Sequence, residues 1–338
     1  SNECDKYFSG ALFWGLVIGV IFAVVGLVFP DKIVEIMGGD ETIVAIGVPY
    51  FRIFMSFSPF FIFNYTCNAF VRNDGNPSVS MAATLISSLF NIVFDYILMF
   101  PLGMGMPGAA LATALSPVVG VMICMIHFLS KKNTVKFKWF KTSLTRLFHC
   151  CQVGMSAFVG EMSGAVIVMV FNFIILRLTG NIGVAAYGVV ANTALVAVAV
   201  FNGVALGSQP LISESYGKHN IKDIKLIEKL GVATALGLAV IIVMMIWGFT
   251  DTIVGVFNSQ GSDRLLSLAR VGLRIYFIGF LFAGINIFCS SALSAIASVK
   301  WAFVLSILKG FVVVNVCAAI LAPIFGMNGV WVAFPLSE

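Results

Sequence analysis

Two carboxylates stand where carboxylates are costly. Of the 15 acidic residues, only Asp95 and Glu161 fall inside long apolar runs, where an unmatched charge is expensive and marks a functional candidate. Asp95 belongs to the stretch NIVFDYILMF, with Asn91 four residues before it, so both lie on one helix face. Thr113 sits within the first two turns of the next apolar run, at a similar depth, and can face them. One Asn, one Asp and one Thr offer oxygen ligands for Na+, or a single carboxylate that loads a proton. The alternative is a polar cluster that only holds helices together. Glu161 lies near the middle of its own run. It can serve as a second proton site, as a counter-charge for a cationic ligand, or as the partner of Lys309, which is also deep within a run. A structural ion pair and a functional one are both open for Glu161 and Lys309.

The runs that must position these residues dominate the chain. It has 338 residues, 60% hydrophobic and 10% charged, with a mean hydropathy of +1.03. Soluble domains are about 45–50% apolar and about 25% charged, so a water-soluble enzyme is excluded. The runs are continuous rather than alternating, which excludes a membrane β-barrel. The fold class is an all-α polytopic membrane protein. Nine full spans are expected near 8–29, 43–70, 79–100, 107–130, 150–176, 182–206, 227–249, 267–291 and 300–323, and a tenth begins near Asn328. Turn residues separate them: Pro30, Asn73 to Pro77, Gly105 to Gly108, Gly180, Asn258 to Ser262 and Gly326 to Gly329.

The net charge of +5 needs no nucleic acid, because cytoplasmic loops of membrane proteins collect Lys and Arg. The longest polar stretch, residues 131–146, carries Lys131, Lys132, Lys136, Lys138, Lys141 and Arg146 with no acid, and is cytoplasmic by that rule. Alternating the spans from there puts most basic residues and the Ser1 end in the cytoplasm. The acidic turn with Asp31, Glu35, Asp40 and Glu41 then lies outside, and Arg52, Arg177, Arg270 and Arg274 lie near outer helix ends. His127, His149 and His219 sit at cytoplasmic boundaries, none placed as a buried proton relay. Cys67, Cys124, Cys289 and Cys317 lie within apolar runs and Cys150–Cys151 follow the basic loop. They are expected as reduced packing residues with no metal-binding spacing. An enzyme is not expected, since no nucleophile–base pair or helical metal spacing appears.

An internal repeat organises the spans. FPDKIV (29–34) recurs as FTDTIV (249–254). Arg52-Ile53 recurs as Arg274-Ile275, and Asn64 with Cys67 as Asn286 with Cys289. The pattern that starts at Gly105-Met106 and ends at Leu115-Ser116 recurs from Gly326-Met327 to Leu336-Ser337. The offset is close to constant, and one period holds an even number of spans, so the halves share one orientation. The expectation is two six-helix lobes, with the first two helices and most of the twelfth lying outside this chain. The division is 1–130 for the first lobe, 131–148 for a basic cytoplasmic linker and 149–338 for the second lobe. Duplicated bundles of this kind mark secondary transporters with a site between halves; a duplicated structural membrane protein is the alternative.

The stretch GSQPLISESYGKHN (207–220) resembles the multidrug and toxic compound extrusion (MATE) family, which carries a Q-P-L-I-S segment at this place. Asn68-Ala69-Phe70-Val71-Arg72, Asn91-Ile92-Val93-Phe94-Asp95 and the Gly108-x-x-x-Ala112-Thr113 start of the following helix resemble it too, in order. The resemblance implies an antiporter in the bacterial inner membrane. It would expel small organic, often cationic, compounds in exchange for Na+ or H+, as a monomer needing no cofactor. It also implies a cation site using Asn68, Asn91, Asp95 and Thr113, with Na+ on Asp95 and Asn91, and an Asp from a helix not in this chain. The sequence departs from the family at Tyr96, where many relatives have Pro, and at Asn286, the polar residue nearest to an acid that one branch carries. A lipid-linked sugar flippase of the same two-lobed type is the nearest rival. The confinement of basic residues to loops and helix ends speaks against it. A passive channel and an intramembrane enzyme are the remaining alternatives.

Overall fold

The computed structural model describes residues 2–36, 41–138, 143–258 and 261–338, and among these there are helices and no strand. The chain divides into two compact units, Ser1–His149 and Cys150–Glu338. The first holds α1 (Asn2–Val28), α2 (Pro30–Ile36), α3 (Glu41–Ser56), α4 (Ser58–Asn73), α5 (Pro77–Met99) and α6 (Gly105–Phe128). The second holds most of α7 (Leu144–Thr179), then α8 (Asn181–Gly217), α9 (Ile221–Gly248), α10 (Thr250–Phe257), α11 (Asp263–Tyr276) and α12 (Phe280–Ala295). It ends with α13 (Val299–Ile307), α14 (Val314–Phe325) and α15 (Met327–Ser337). A 3-10 turn (Phe277–Gly279) joins α11 to α12, and a π-helical segment (Leu308–Val313) joins α13 to α14. Of the acidic turn, Asp40 lies outside the described residues.

Among the described residues, eight helical stretches are long and apolar enough to cross a membrane, where nine full spans were expected. The difference lies at 43–70, where α3 and α4 are separate helices of 16 residues each. Pro59, in the first turn of α4, has no N–H to donate, and its ring crowds the carbonyl of the preceding turn. The chain breaks at Phe57, whose carbonyl takes up the N–H groups of Phe60 and Phe61 at 2.9 and 3.3 Å. The interruption is used in packing. Gly19 of α1 lies directly over it, and a Cβ there would stand 2.5 Å from the Pro59 Cα. One turn earlier, a Cβ on Gly15 would meet Ile62 at 2.9 Å. Small residues let helix backbones approach closely where lipid supplies no hydrophobic drive between helices.

The second unit is built around aromatic rings. Trp331, Phe171, Phe201, Phe277 and Phe280 are almost wholly buried. Tyr276 stacks on Phe334 at 4.2 Å and Phe277 on Phe280 at 4.7 Å between ring centres, which binds α11, α12 and α15 into one body. Large apolar side chains exposed on the helices, such as Ile21, Phe22, Leu89 and Ile92, are the faces a bilayer covers.

The basic segment after α6 is fastened to the first unit. The Thr134 N–H donates to Asp74 Oδ2 at 3.0 Å, and the Thr134 hydroxyl donates to Asp74 Oδ1. His127, 1% exposed despite its boundary position in the sequence, places Nε2 2.8 Å from Asp74 Oδ2 and Nδ1 3.1 Å from Asn76 Nδ2. Further along, the Lys136 N–H donates to Asp5 Oδ1 at 2.8 Å, Lys138 Nζ pairs with Asp5 Oδ2 at 2.6 Å, and the Lys138 N–H reaches Ser9 Oγ at 3.0 Å. Burial, the largest single influence on the Asp74 carboxyl, pushes its pKa up. The hydrogen bonds from Thr134 and His127 outweigh it and hold the group below its ordinary 3.8.

Asp74→Asn is therefore expected to lower stability by about 1.5–3 kcal/mol, the range for hydrogen bonds to a charged group. Because the folded pKa is depressed, this contribution is complete above pH 3.8 and fades as the pH falls through the lowered value. Thermal unfolding in detergent checks both points: the gap between wild type and variant should be open at neutral pH and close in acid.

Candidate ion-coupling site

The helix α5 opens at Pro77, where a missing N–H costs nothing, and runs unbroken to Met99. Five polar residues recur along it at spacings of three and four: Ser80, Thr84, Ser87, Asn91 and Asp95. That spacing makes one continuous polar face. Met81, Leu85, Leu89, Ile92 and Tyr96 form an exposed apolar face beside it. Two of the hydroxyls bond the helix itself, Thr84 Oγ1 to the Ser80 carbonyl at 3.1 Å and Ser87 Oγ to the Thr84 carbonyl at 3.0 Å. The hydroxyl protons are thereby used and the oxygen lone pairs stay available.

At one end of this face the structure brings Asn91 and Thr113 together, with Asn91 Nδ2 donating to Thr113 Oγ1 at 3.3 Å. Asp95, one turn further on, has its Oδ1 buried with no hydrogen-bond partner. Asn91 uses its nitrogen on Thr113, so its amide oxygen remains free to join that carboxylate oxygen as a ligand. One carboxylate with amide and hydroxyl oxygens suits a hard monovalent cation or a proton, not a thiolate- or imidazole-loving metal. Among the described residues no group of three or more His, Cys, Asp or Glu is placed to hold a metal.

Asn68 stands apart from this cluster. Its Nδ2 donates to the Asn64 carbonyl and to Asn64 Oδ1, both at 2.9 Å, and its Oδ1 accepts from Ser80 Oγ at 3.1 Å. Ser80 precedes Asp95 on the same helix by about 22 Å of helical rise. Asn68 is thus part of a second polar knot, with Asn64 and Ser80, and the structure does not bring it to Asp95. Ser80, Thr84 and Ser87 were not singled out from the sequence, and Asn64 was noted only as part of the repeat. The three-and-four spacing on α5 was the signal that could have found the first three.

In the second unit the expected pair is not formed. Glu161 is exposed on α7 and makes no ion pair among the described residues. Lys309 pairs instead with Glu338, Nζ to Oε2 at 2.9 Å. The physical reason is burial: the Glu338 side chain is 4% exposed and needs a cation more than an exposed carboxylate does. The 209–213 Q-P-L-I-S stretch forms the last turns of α8, where Ile212 is buried and Ser213 Oγ donates to the Ala295 carbonyl at the end of α12, at 3.0 Å. The motif thus pins two helix ends together. All seven cysteines are free, Cys67 and Cys124 being buried.

These placements give a direct test. A double-mutant cycle on unfolding is expected to show no coupling between Lys309→Ala and Glu161→Ala. Between Lys309→Ala and Glu338→Ala it should show about 0.5–3 kcal/mol, the range for groups in contact.

Comparison with known proteins agrees with the fold. A family model described as MatE matches residues 2–97 and 157–321. The chain is 27% identical over 338 residues to the multidrug export protein MepA of a bovine strain of Staphylococcus aureus, covering 98% of this chain and 72% of the relative. It is 25% identical to MepA of Staphylococcus saprophyticus, covering 95% and 71%. Among solved structures, an outward-facing multidrug resistance MATE transporter of the MOP superfamily superposes with a TM-score of 0.92 at 22% identity, covering 98% of this chain and 75% of that one. A MOP superfamily transporter from Pyrococcus furiosus, whose binding pocket is described as having reverse polarity, gives 0.91 at 21% identity over the same shares. With the family model spanning both units, the chain belongs to the MatE family of membrane transporters, to which its motifs pointed.

Proposed function

We propose that the protein is a multidrug exporter that works as an antiporter, expelling small organic cations in exchange for Na+ or H+ by alternating access. The observation that carries this reading is the buried, unpartnered Oδ1 of Asp95 beside Asn91 and Thr113. A bare carboxylate oxygen in a membrane helix is unfavourable until something positive joins it. Binding Na+ or a proton removes that penalty, and an ion bound better in one conformation than in the other shifts the balance between them. The names of the relatives, multidrug export proteins, support the substrate class. The reading places the protein in the bacterial inner membrane as a monomer, with the Ser1 end and the 131–146 segment in the cytoplasm. Thr134, Lys136 and Lys138 of that segment bond Asp74 and Asp5.

Proteoliposomes holding the full-length transporter test this. Ethidium movement is followed under an imposed Na+ or proton gradient, for wild type and for Asp95→Asn. The expected result is gradient-driven transport that Asp95→Asn lowers by about 5- to 150-fold, the usual span of coupling between two sites, with the effective gradient naming the ion. Transport that survives the substitution overturns Asp95 as the coupling group. Folded protein that moves no organic cation overturns the exporter reading in favour of a lipid-linked sugar flippase.

A further inference from the structure

The two units treat their buried carboxylates differently. Asp95 in the first has a buried oxygen with no partner, whereas Glu338 in the second has one oxygen matched twice. Its Oε2 receives Lys309 Nζ at 2.9 Å and Asn286 Nδ2 at 2.8 Å. Three separate segments converge here: α12 brings Asn286, the π-helical segment brings Lys309, and Glu338, next after α15, brings the carboxylate. On α15, the helix that leads to it, Val330, Trp331 and Ala333 have no exposure.

The π-helical segment is what allows the convergence. Such turns hold an extra residue in the helix, are rare, and recur at functional sites. Here the extra residue lets two demands be met at adjacent positions. Gly310 packs directly on Ser163 of α7, where any Cβ would collide with the Ser163 side chain. Lys309, its neighbour, reaches Glu338 instead. The Lys309 side chain is 24% exposed and that of Glu338 4%, so the ammonium is a plug on a carboxylate that is otherwise closed off.

We infer that Lys309 is a tethered cation occupying a latent monovalent cation site made by Glu338 and Asn286. The ammonium fills the place where Na+ or a proton would otherwise neutralise Glu338. The second unit therefore neither loads nor releases an ion, and exchangeable cation binding is confined to the first. No covalent step is involved: one tethered positive charge stands in for one mobile one. This goes beyond the antiport reading and is tested without transport.

The experiment is thermal unfolding of the full-length transporter in detergent, in NaCl or choline chloride at equal ionic strength, and in mild acid. An Asp95→Asn background silences the first unit. In that background the protein with Lys309 intact, and the Lys309→Arg variant, should show the same Tm in both salts. Lys309→Met should gain a Tm that rises by several degrees in NaCl or in acid, and adding Glu338→Gln should abolish that rise. A Lys309→Met variant with one Tm under all three conditions overturns the inference. If Lys309→Met does not fold in choline chloride, recovery by NaCl or by the added Glu338→Gln supports it, and failure of both overturns it.

Discussion

The structure depends on one constraint: inside a bilayer there is no water to satisfy a polar group, so each must find its partner within the protein. Helices meet this for the backbone, which is why the described residues of the spans hold helices and no strand. Three buried carboxylates, inside the apolar runs and at their ends, are also matched. Asp5 takes Lys138 and a backbone N–H, Asp74 takes His127 and Thr134, and Glu338 takes Lys309 and Asn286. Even the break at Phe57 leaves its carbonyl bonded. Against that background Asp95 Oδ1 is conspicuous. Arg72 Nε, Asn315 Oδ1 and Trp331 Nε1 are also buried without a partner, but Asp95 Oδ1 belongs to a carboxylate, for which the lack of a partner costs most.

The units solve packing in two ways. In the first, α1 brings bare glycine backbone against the break at Pro59, and the gain is close approach. In the second, rings interlock around Trp331, and aromatic pairs are worth about 0.5–1.5 kcal/mol each beyond the area they bury. Glycine serves there too, since Gly272 leaves room for the Trp331 ring, 2.8 Å from where a Cβ would stand.

Much of this was legible in the sequence, and the physical reason is local. A span is a run of apolar residues, and Asn91 with Asp95 is a helical spacing, so both are read from neighbours in the chain. The break at 57–59 was hidden because apolar residues continue through it. Proline alone did not reveal it, since Pro49, Pro117 and Pro210 lie inside unbroken helices. The partners of Asp74 come from 53 and 60 residues away, and no local pattern announces them. Lys309 was recognisable as a charge deep within an apolar run, but its partner, Glu338, lies 29 residues further along the chain. Asn68 was named through the family resemblance, and the helical rise along α5 separates it from Asp95.

The polar face of α5 also bears on how the protein is made. Of the eight stretches that can cross a membrane, Pro77–Met99 is the least apolar, because the residues that form the site replace those that would favour lipid. A helix entering the bilayer during synthesis is judged largely on its own composition, and here the neighbour that covers Asn91, namely Thr113 on α6, has not yet emerged. The segment that carries Asn91 and Asp95 is thus the one least able to enter the membrane unaided. Its retention there rests on the prompt arrival of α6, whose Gly105–Phe128 stretch is more apolar. The order of synthesis, α4 before and α6 directly after, supplies both walls of the polar face within one short interval of translation.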